Sequence, residues 1–246
     1  MLLFDSSDNY EEEVDRISKL PDAVIHNILR LSAIDTKDAV QTCLFSKRWI
    51  NVWKSLPYLN FDMGDNTVDE VNDLIERVLL LRDDCEIQSF NLRGKWYPFD
   101  KCVRLSSSLS RYIDAIIKRN IEEVTLELDQ PHADFKYKIP HRLLNCKSLE
   151  KFTLVSKGTS MHIILPKSMS LPHLKTLCLG GFMMSDLESF SRLFSSCPLL
   201  GTLGIGNCNI QTAKWMIKLL VADAKVEQLD LYPGFLEVYS AIITLV

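Results

Sequence analysis

Several features that would indicate a membrane or secreted protein are missing from this 246-residue sequence. It has no apolar run of the ~18 residues needed to span a bilayer. Its first residues are apolar and then acidic, which does not match the basic start and apolar core of a signal peptide. It also lacks an N-x-S/T glycosylation site. These absences predict a protein of the cytoplasm, the nucleus or both, with no membrane partner.

The sequence also has no large excess of either charge and none of the common catalytic motifs. The sequence has 28 basic and 32 acidic residues, a formal net charge of -4, whereas nucleic-acid binding requires a basic face. It contains no GxSxG or HExxH motif, and the glycines of residues 201–206 are in the wrong order for a nucleotide loop. An enzyme would need a pocket with convergent polar groups. The sequence therefore predicts no catalytic residue, no cofactor and no nucleic-acid partner.

Cysteine is present seven times, but no two cysteines form a CxxC pair. The five histidines share no ligand spacing either, so the sequence predicts no metal site. An odd number of cysteines without metal spacing is typical of buried free thiols in a reducing compartment. The cysteines are Cys43, Cys85, Cys102, Cys146, Cys178, Cys197 and Cys208.

The N-terminal part combines a flexible acidic tail, residues 1–15, with a compact helical unit, residues 16–62. Pro21 and Asp22 begin the first predicted helix, and a second begins near Asp35–Asp38. A third follows Ser46, a possible N-cap, and places three apolar residues on one stripe: Trp49, Val52 and Trp53. A unit this small has too little core to bury two tryptophans fully. We therefore expect it to pack against a partner or the following domain.

The rest of the chain repeats one apolar pattern. Residues 63–119 form a helical linker and a first repeat, with amphipathic helices predicted at 64–85 and 100–119. Residues 120–232 continue the repeats. Six segments have apolar residues at positions 1, 4 and 6, and the last four spacings between their centres, 28, 25, 26 and 26 residues, are typical of leucine-rich repeats. The centres are Phe90, Val124, Phe152, Leu177, Leu203 and Leu229.

Stacked repeats bury their apolar faces against each other and line one side with a parallel sheet. Residues that alternate with the apolar strand positions point away from the core. That face predicts a broad binding surface for a target protein without a catalytic pocket. The candidate target-facing residues are Thr125, Glu127, Thr153, Cys178, Gly204 and Asp230.

Residues 15–62 also resemble the F-box of plant F-box/leucine-rich-repeat proteins, of the group that includes F-box/FBD/LRR proteins. The motifs that carry the resemblance are DRISKLPD, TKDAVQTC, SKRWINVWKSLP and LNFD, followed by RVLLLRDDCEIQSFNLRG. The resemblance extends to about residue 210. It implies a fold with an α-helical F-box followed by an α/β leucine-rich-repeat solenoid, whose parallel strands lie on the concave face.

The resemblance also implies a function. F-box proteins of this kind are non-catalytic substrate-recognition adaptors of Skp–cullin–F-box ubiquitin ligases. The F-box binds a Skp-type adaptor, which joins it to a cullin, and the repeats hold a target. Carried over onto this sequence, the adaptor-binding residues would be Leu20, Pro21, Ile25, Ile28, Leu29, Leu44, Ser46, Arg48, Trp49 and Trp53.

Two departures from the family pattern leave alternatives open. The segment RLSAID between Leu29 and Thr36 is about two residues longer than usual, which would shift the first helix against the second and weaken docking. The apolar end of the chain, residues 233–246, matches no repeat, so we expect a C-terminally short member. The alternatives are a leucine-rich-repeat interaction protein that does not dock, and a truncated decoy that occupies the adaptor.

Overall fold

The computed structural model describes residues 16–64, 66–95, 99–129, 136–156, 161–183, 187–206 and 228–231. The predicted acidic tail and the apolar C-terminal tail lie outside these ranges. Within them, no helix is both long and apolar enough to cross a membrane.

Three short helices form the N-terminal helical block, residues 16–57. They are α1 (Asp22–Leu31), α2 (Thr36–Gln41) and α3 (Lys47–Lys54), with 3₁₀ turns at Ile17–Lys19 and Thr42–Leu44. Pro21 lies at the N-cap of α1, and the Asp35 carboxylate caps α2 by accepting a hydrogen bond from the Lys37 amide. The predicted starts of all three helices are thus confirmed. The block has its own apolar core, made of Ile25, Leu29, Ala39, Trp49, Val52 and Leu56.

The remaining described elements alternate strands with helices or turns. The strands are β1 (Tyr58–Asp62), β2 (Ser89–Lys95), β3 (Glu123–Asp129), β4 (Lys136–Lys138), β5 (Lys151–Val155), β6 (Met161–Ile164), β7 (Thr176–Gly180), β8 (Phe182–Met183), β9 (Thr202–Gly206) and β10 (Gln228–Leu231). The helices are α4 (Val68–Leu81), α5 (Phe99–Ile117) and α6 (Leu187–Ser195), and a 3₁₀ turn lies at Leu143–Asn145.

Seven of these strands form one parallel sheet, in the order β1-β2-β3-β5-β7-β9-β10. The predicted repeat centres pair with each other in register, so they form a single row across the sheet. The first five members of this row, Phe90 to Leu203, are buried, and helices or turns return the chain between most of the described strands. The prediction of an α/β repeat fold with a parallel sheet is therefore confirmed.

The sheet begins one strand earlier than the repeat pattern predicts. β1, which the sequence places at the end of the helical unit, pairs in parallel with β2, and Leu59 lies opposite Phe90. Leu59 and Phe61 are buried in the large core cluster that also holds the repeats. A second, three-stranded parallel sheet, β4-β6-β8, was not predicted, because strands of two to four residues are too short to show a periodicity.

The two long helices pack their predicted apolar stripes into the core. α4 begins with a capping box, in which Thr67 and Glu70 each satisfy the other's backbone amide. Its buried residues are Val68, Val71, Ile75 and Val78. In α5, Leu109, Ile113 and Ile116 are buried, as predicted, while the Leu105 side chain lies outside the described residues.

The cysteine prediction is only partly confirmed. Cys146, Cys178 and Cys197 are buried free thiols, but Cys85 is exposed and Cys43 is half-buried. Cys85 follows the end of α4, where the chain runs over the surface before β2. Burial lowers the stability of a thiolate, and it raises the pKa of Cys197 to about 11. The side chains of Cys102 and Cys208 lie outside the described residues.

Candidate functional site

The helical block exposes several large apolar side chains. Val24, Ile28 and Leu31 lie at i, i+4 and i+7 of α1, so they form one stripe along the helix, and all three are exposed. The 3₁₀ turn before α3 adds Leu44, 84% exposed, and Phe45, 76% exposed. We call these five residues the apolar patch. Exposed apolar groups of this kind are typical of interaction surfaces.

The structure divides the ten predicted adaptor contacts into two groups. Four are in the interior: Ile25, Leu29, Trp49 and Trp53. The other six are exposed or half-buried: Leu20, Pro21, Ile28, Leu44, Ser46 and Arg48. Within this chain Trp49 and Trp53 are each only 7% exposed, so their side chains leave little surface for a separate partner. Val24, Leu31 and Phe45, absent from the prediction, provide exposed apolar surface instead.

Arg48 joins α3 to the start of α1. Its guanidinium donates to the backbone carbonyl of Leu20 and to the Asp22 carboxylate, 2.7 Å away. Because both partners of this ion pair are partly exposed, its contribution to stability is small. Ser46 occupies the predicted N-cap position of α3, but its buried hydroxyl makes no capping bond and has no hydrogen-bond partner in the described structure.

The lengthened segment between α1 and α2 is absorbed locally. The Ala33 amide donates to Arg30 O at 3.0 Å, and the Ile34 amide donates to Leu29 O at 3.3 Å. With Ala33 at a φ of +48°, this is a Schellman motif. Ile34 then packs against the core cluster that contains Leu29. The extra residues therefore end α1 without separating it from α2 and α3.

The helical block is bonded directly to the first strand of the sheet. The side-chain nitrogen of Asn60, Nδ2, donates to Ala33 O. The backbone amide of Asn60 donates to Thr36 Oγ1, and that of Asp62 donates to Asp35 Oδ2, each at 2.8 Å. Burial raises the pKa of Asp35 above its ordinary value, although the backbone amides of Asp62 and Lys37 oppose the shift. The carboxylate that caps α2 thus also holds β1.

The predicted target-facing residues lie on one face of the sheet, which we call the polar face. Strand register aligns five of them in a single row across neighbouring strands: Thr125, Thr153, Cys178, Gly204 and Asp230. Glu127 lies in the next row and pairs with Arg93 at 3.1 Å. The side chain of Asp230 lies outside the described residues.

Exposure along this row is lower than alternation suggested. Thr125, Glu127 and Thr153 are half-buried, whereas Cys178 and Gly204 are buried. Alternation shows on which face of a strand a residue lies, but not what covers that face. The expectation that Cys178 and Gly204 are exposed is therefore wrong. Among the residues that the structure describes, no group of His, Cys, Asp and Glu side chains is arranged to hold a metal ion.

Comparison with known proteins agrees with this architecture. Residues 109–226 match the family model described as "FBD-associated F-box protein At5g56370, LRR repeats". Among curated relatives from Arabidopsis thaliana, the F-box/LRR-repeat protein At1g55660 is 32% identical over 77% of this chain. The F-box/LRR-repeat protein At3g58980 is 31% identical over 82%, and the FBD-associated F-box protein At4g13985 is 29% identical over 81%.

The matches cover 51%, 33% and 43% of these three relatives, so the chain spans about half of their length or less. In each, 77% or more of this chain is aligned, which is more than residues 109–226 alone. The shared segment therefore reaches beyond the repeats that the family model covers. The chain belongs to the family of plant F-box/leucine-rich-repeat proteins.

Proposed function

We propose that this chain is a substrate-recognition subunit of a Skp–cullin–F-box ubiquitin ligase. The N-terminal helical block is its F-box and docks on a Skp-type adaptor, which joins it to a cullin. The repeats form a solenoid whose polar face holds a target protein. The chain supplies two binding surfaces and no chemistry of its own.

The observation that supports this proposal is the apolar patch. A block of three short helices with a core of its own still exposes seven large apolar side chains, the five of the patch together with Ile17 and Ile50. Exposure on this scale has a cost in solubility unless a partner covers it. The block is also bonded to the first strand of the sheet, so a partner on the patch would stand in a fixed relation to the repeats.

Binding to a purified Skp-type adaptor tests the proposal. Leu44→Glu places a charge on an exposed member of the patch and leaves the core cluster intact. We expect it to weaken adaptor binding by roughly 30-fold, which corresponds to about 2 kcal/mol. Titration calorimetry measures the effect. Trp49→Ala is a poorer probe, since removing a buried tryptophan costs about 3–5 kcal/mol of stability and confuses docking with folding.

Leu80→Glu is the matched control, because Leu80 is 80% exposed on α4, outside the helical block. It should bind the adaptor as the unchanged chain does. Failure of the folded, unchanged chain to bind any Skp-type adaptor would overturn the proposal and favour a repeat protein that does not dock. Tight adaptor binding without ubiquitination of any target would favour the decoy.

A further inference from the structure

A cavity of about 440 Å³ lies where the helical block meets the first three strands of the sheet. The end of α1 and the segment that follows it form one wall, and the polar residues of β1 and β2 form the floor. The start of β3 forms the opposite wall. We call this cavity the junction pocket. Its volume is in the range of small-ligand and peptide side-chain sites.

The two walls carry opposite charge. On one side the Arg30 guanidinium lies 5.2 Å from the centre of the Tyr58 ring, a cation–π arrangement that holds the cation at the wall. On the other side are Glu122 and Glu123, both exposed, whose carboxylates make no hydrogen bond or ion pair within the described structure. Tyr58, Ser89 and Glu123 share one row of the sheet. Two strand spacings therefore separate the walls by about 10 Å.

The floor between the walls offers amide groups. Asn60 uses its amide nitrogen on Ala33 O and Ile34 O. Gln88 and Asn91, both half-buried, have no side-chain hydrogen-bond partner among the residues described. An amide on the floor can both donate to and accept from a peptide backbone. The pocket thus pairs backbone recognition in the middle with positive charge at one end and negative charge at the other.

The exposure of the rim indicates which kind of ligand can bind in the pocket. Arg30, Ala33, Arg93, Glu122 and Glu123 are all exposed, so one side of the pocket is open to solvent. A free small molecule is normally buried over most of its surface, which an open trough does not provide. The floor continues into the row of Asn91, Thr125 and Thr153 on the polar face. A chain segment that extends along that face can therefore enter the pocket.

We infer that the junction pocket binds an extended segment of the target protein carrying one basic and one acidic side chain. The basic side chain lies against Glu122 and Glu123, and the acidic side chain lies against Arg30. Side chains of an extended chain share a face only at even separations and are about 7 Å apart at i, i+2, so the two charges are two or four positions apart. This inference rests on the proposed function, because holding a target segment is the task of a substrate receptor.

A peptide array tests the inference with the full chain. The probes are immobilised decapeptides of glycine and serine, each with one lysine and one aspartate, one to five positions apart and in both orders. Peptides with a single charge complete the set. We expect retention to be greatest at separations of two or four positions. In solution, fluorescence anisotropy should give at least tenfold tighter binding for these peptides than for single-charge peptides.

Matched variants assign the charges. Glu123→Gln should remove the dependence on lysine, and Arg30→Gln the dependence on aspartate. Asp69→Asn and Arg77→Gln remove one negative and one positive charge on α4, and they should alter neither the lysine dependence nor the aspartate dependence. Retention without a preferred separation, or a preference that survives Glu123→Gln and Arg30→Gln, would overturn the inference. Binding of free lysyl-aspartate but of no array peptide would also overturn it and favour a small zwitterion.

The adaptor titration separates this inference from the proposed function. Glu123→Gln should bind the Skp-type adaptor normally, because Glu123 lies on the sheet and not in the apolar patch. If the array shows no charge-pair preference while the adaptor still binds, the pocket inference alone fails. If the adaptor does not bind while the array preference holds, the ligase role fails and the pocket remains a peptide site.

Discussion

Ala33 shows how one residue sets the geometry of the helical block. It holds a left-handed backbone conformation, φ +48°, which is unfavourable for any residue with a Cβ atom. The conformation is retained because it allows the Schellman hydrogen bonds that end α1 and because Ile34 then reaches the core. The strain is local and exposed, so it can be relieved without disturbing a packed side chain.

Ala33→Gly should therefore stabilise the protein, by about 0.5–1 kcal/mol, since glycine adopts this conformation without steric cost. Ala23→Gly is the matched control, because Ala23 is an exposed residue within α1. The same substitution there should destabilise by up to about 1 kcal/mol. Urea unfolding of both variants measures the two changes. Equal signs for the two substitutions would contradict the left-handed assignment of Ala33.

At the scale of elements, β1 connects the helical block to the repeats. It follows the last core residue of the block, Leu56, by two positions, and its own Leu59 and Phe61 pack into the core of the repeats. Beyond its end, Met63 is only 2% exposed and its amide donates to Arg93 O at 2.9 Å. Gly94 in β2 leaves the space that the Met63 side chain fills. A Cβ atom at residue 94 would lie 2.4 Å from Met63 Cβ.

Gly94→Ala is expected to destabilise the protein by about 1–3 kcal/mol, the usual cost of overpacking. The clash involves Met63 Cβ, which cannot move without the backbone, so the chain after β1 must shift away from β2. Gly201→Ala serves as the control, because a Cβ atom there meets nothing within 4 Å, and it should change stability by less than about 0.5 kcal/mol. Thermal unfolding distinguishes the two. A neutral Gly94→Ala would disprove the close packing of Met63 against β2.

At the scale of the whole molecule, Arg82 joins the helical block to the segment that leads from α4 into β2. Its guanidinium is buried and donates to Leu56 O at 3.1 Å and Glu86 O at 3.5 Å. Burial, followed by the charge of Arg119, lowers the pKa of Arg82 to about 10. At neutral pH the group is still charged, and its bonds to two carbonyls compensate part of the cost of burying that charge. Under the proposed function, this link would hold the adaptor and the target in one orientation.

Arg82→Met should reduce the free energy of unfolding by about 2 kcal/mol, because the buried Leu56 carbonyl and the part-buried Glu86 carbonyl lose their donor. It should also let the helical block open more often than the repeats. Hydrogen exchange measures this as faster exchange in peptides of α1–α3 than in peptides of β5–β9. Arg77→Met, at an exposed position 4.0 Å from Asp73, should change neither stability nor exchange appreciably. Uniform acceleration across the chain would contradict a specific link at Arg82.

Local patterns along the chain were enough to locate most elements. The starts of α1 and α2 follow from Pro21 and Asp35, since helix ends depend on neighbouring residues, whereas α3 begins after Ser46 although its hydroxyl makes no capping bond. The six repeat centres align in one row because a stacked repeat must place equivalent residues opposite each other. The family also followed from sequence motifs in both halves of the chain.

Only the tertiary structure decided which of these residues are available to a partner. Trp49 and Leu44 both belong to the recognisable motif, yet one is in the core and the other is 84% exposed. Trp49 packs in a core cluster with residues of α1, whereas Leu44 lies in an exposed 3₁₀ turn. The spacing of residues in the sequence predicts neither environment. The junction pocket likewise depends on β1 joining the sheet, which brings Arg30 and Glu123, 93 positions apart in the chain, to opposite walls of one cavity. Periodicity records which way a side chain points, whereas burial and proximity depend on contacts between residues far apart in the chain.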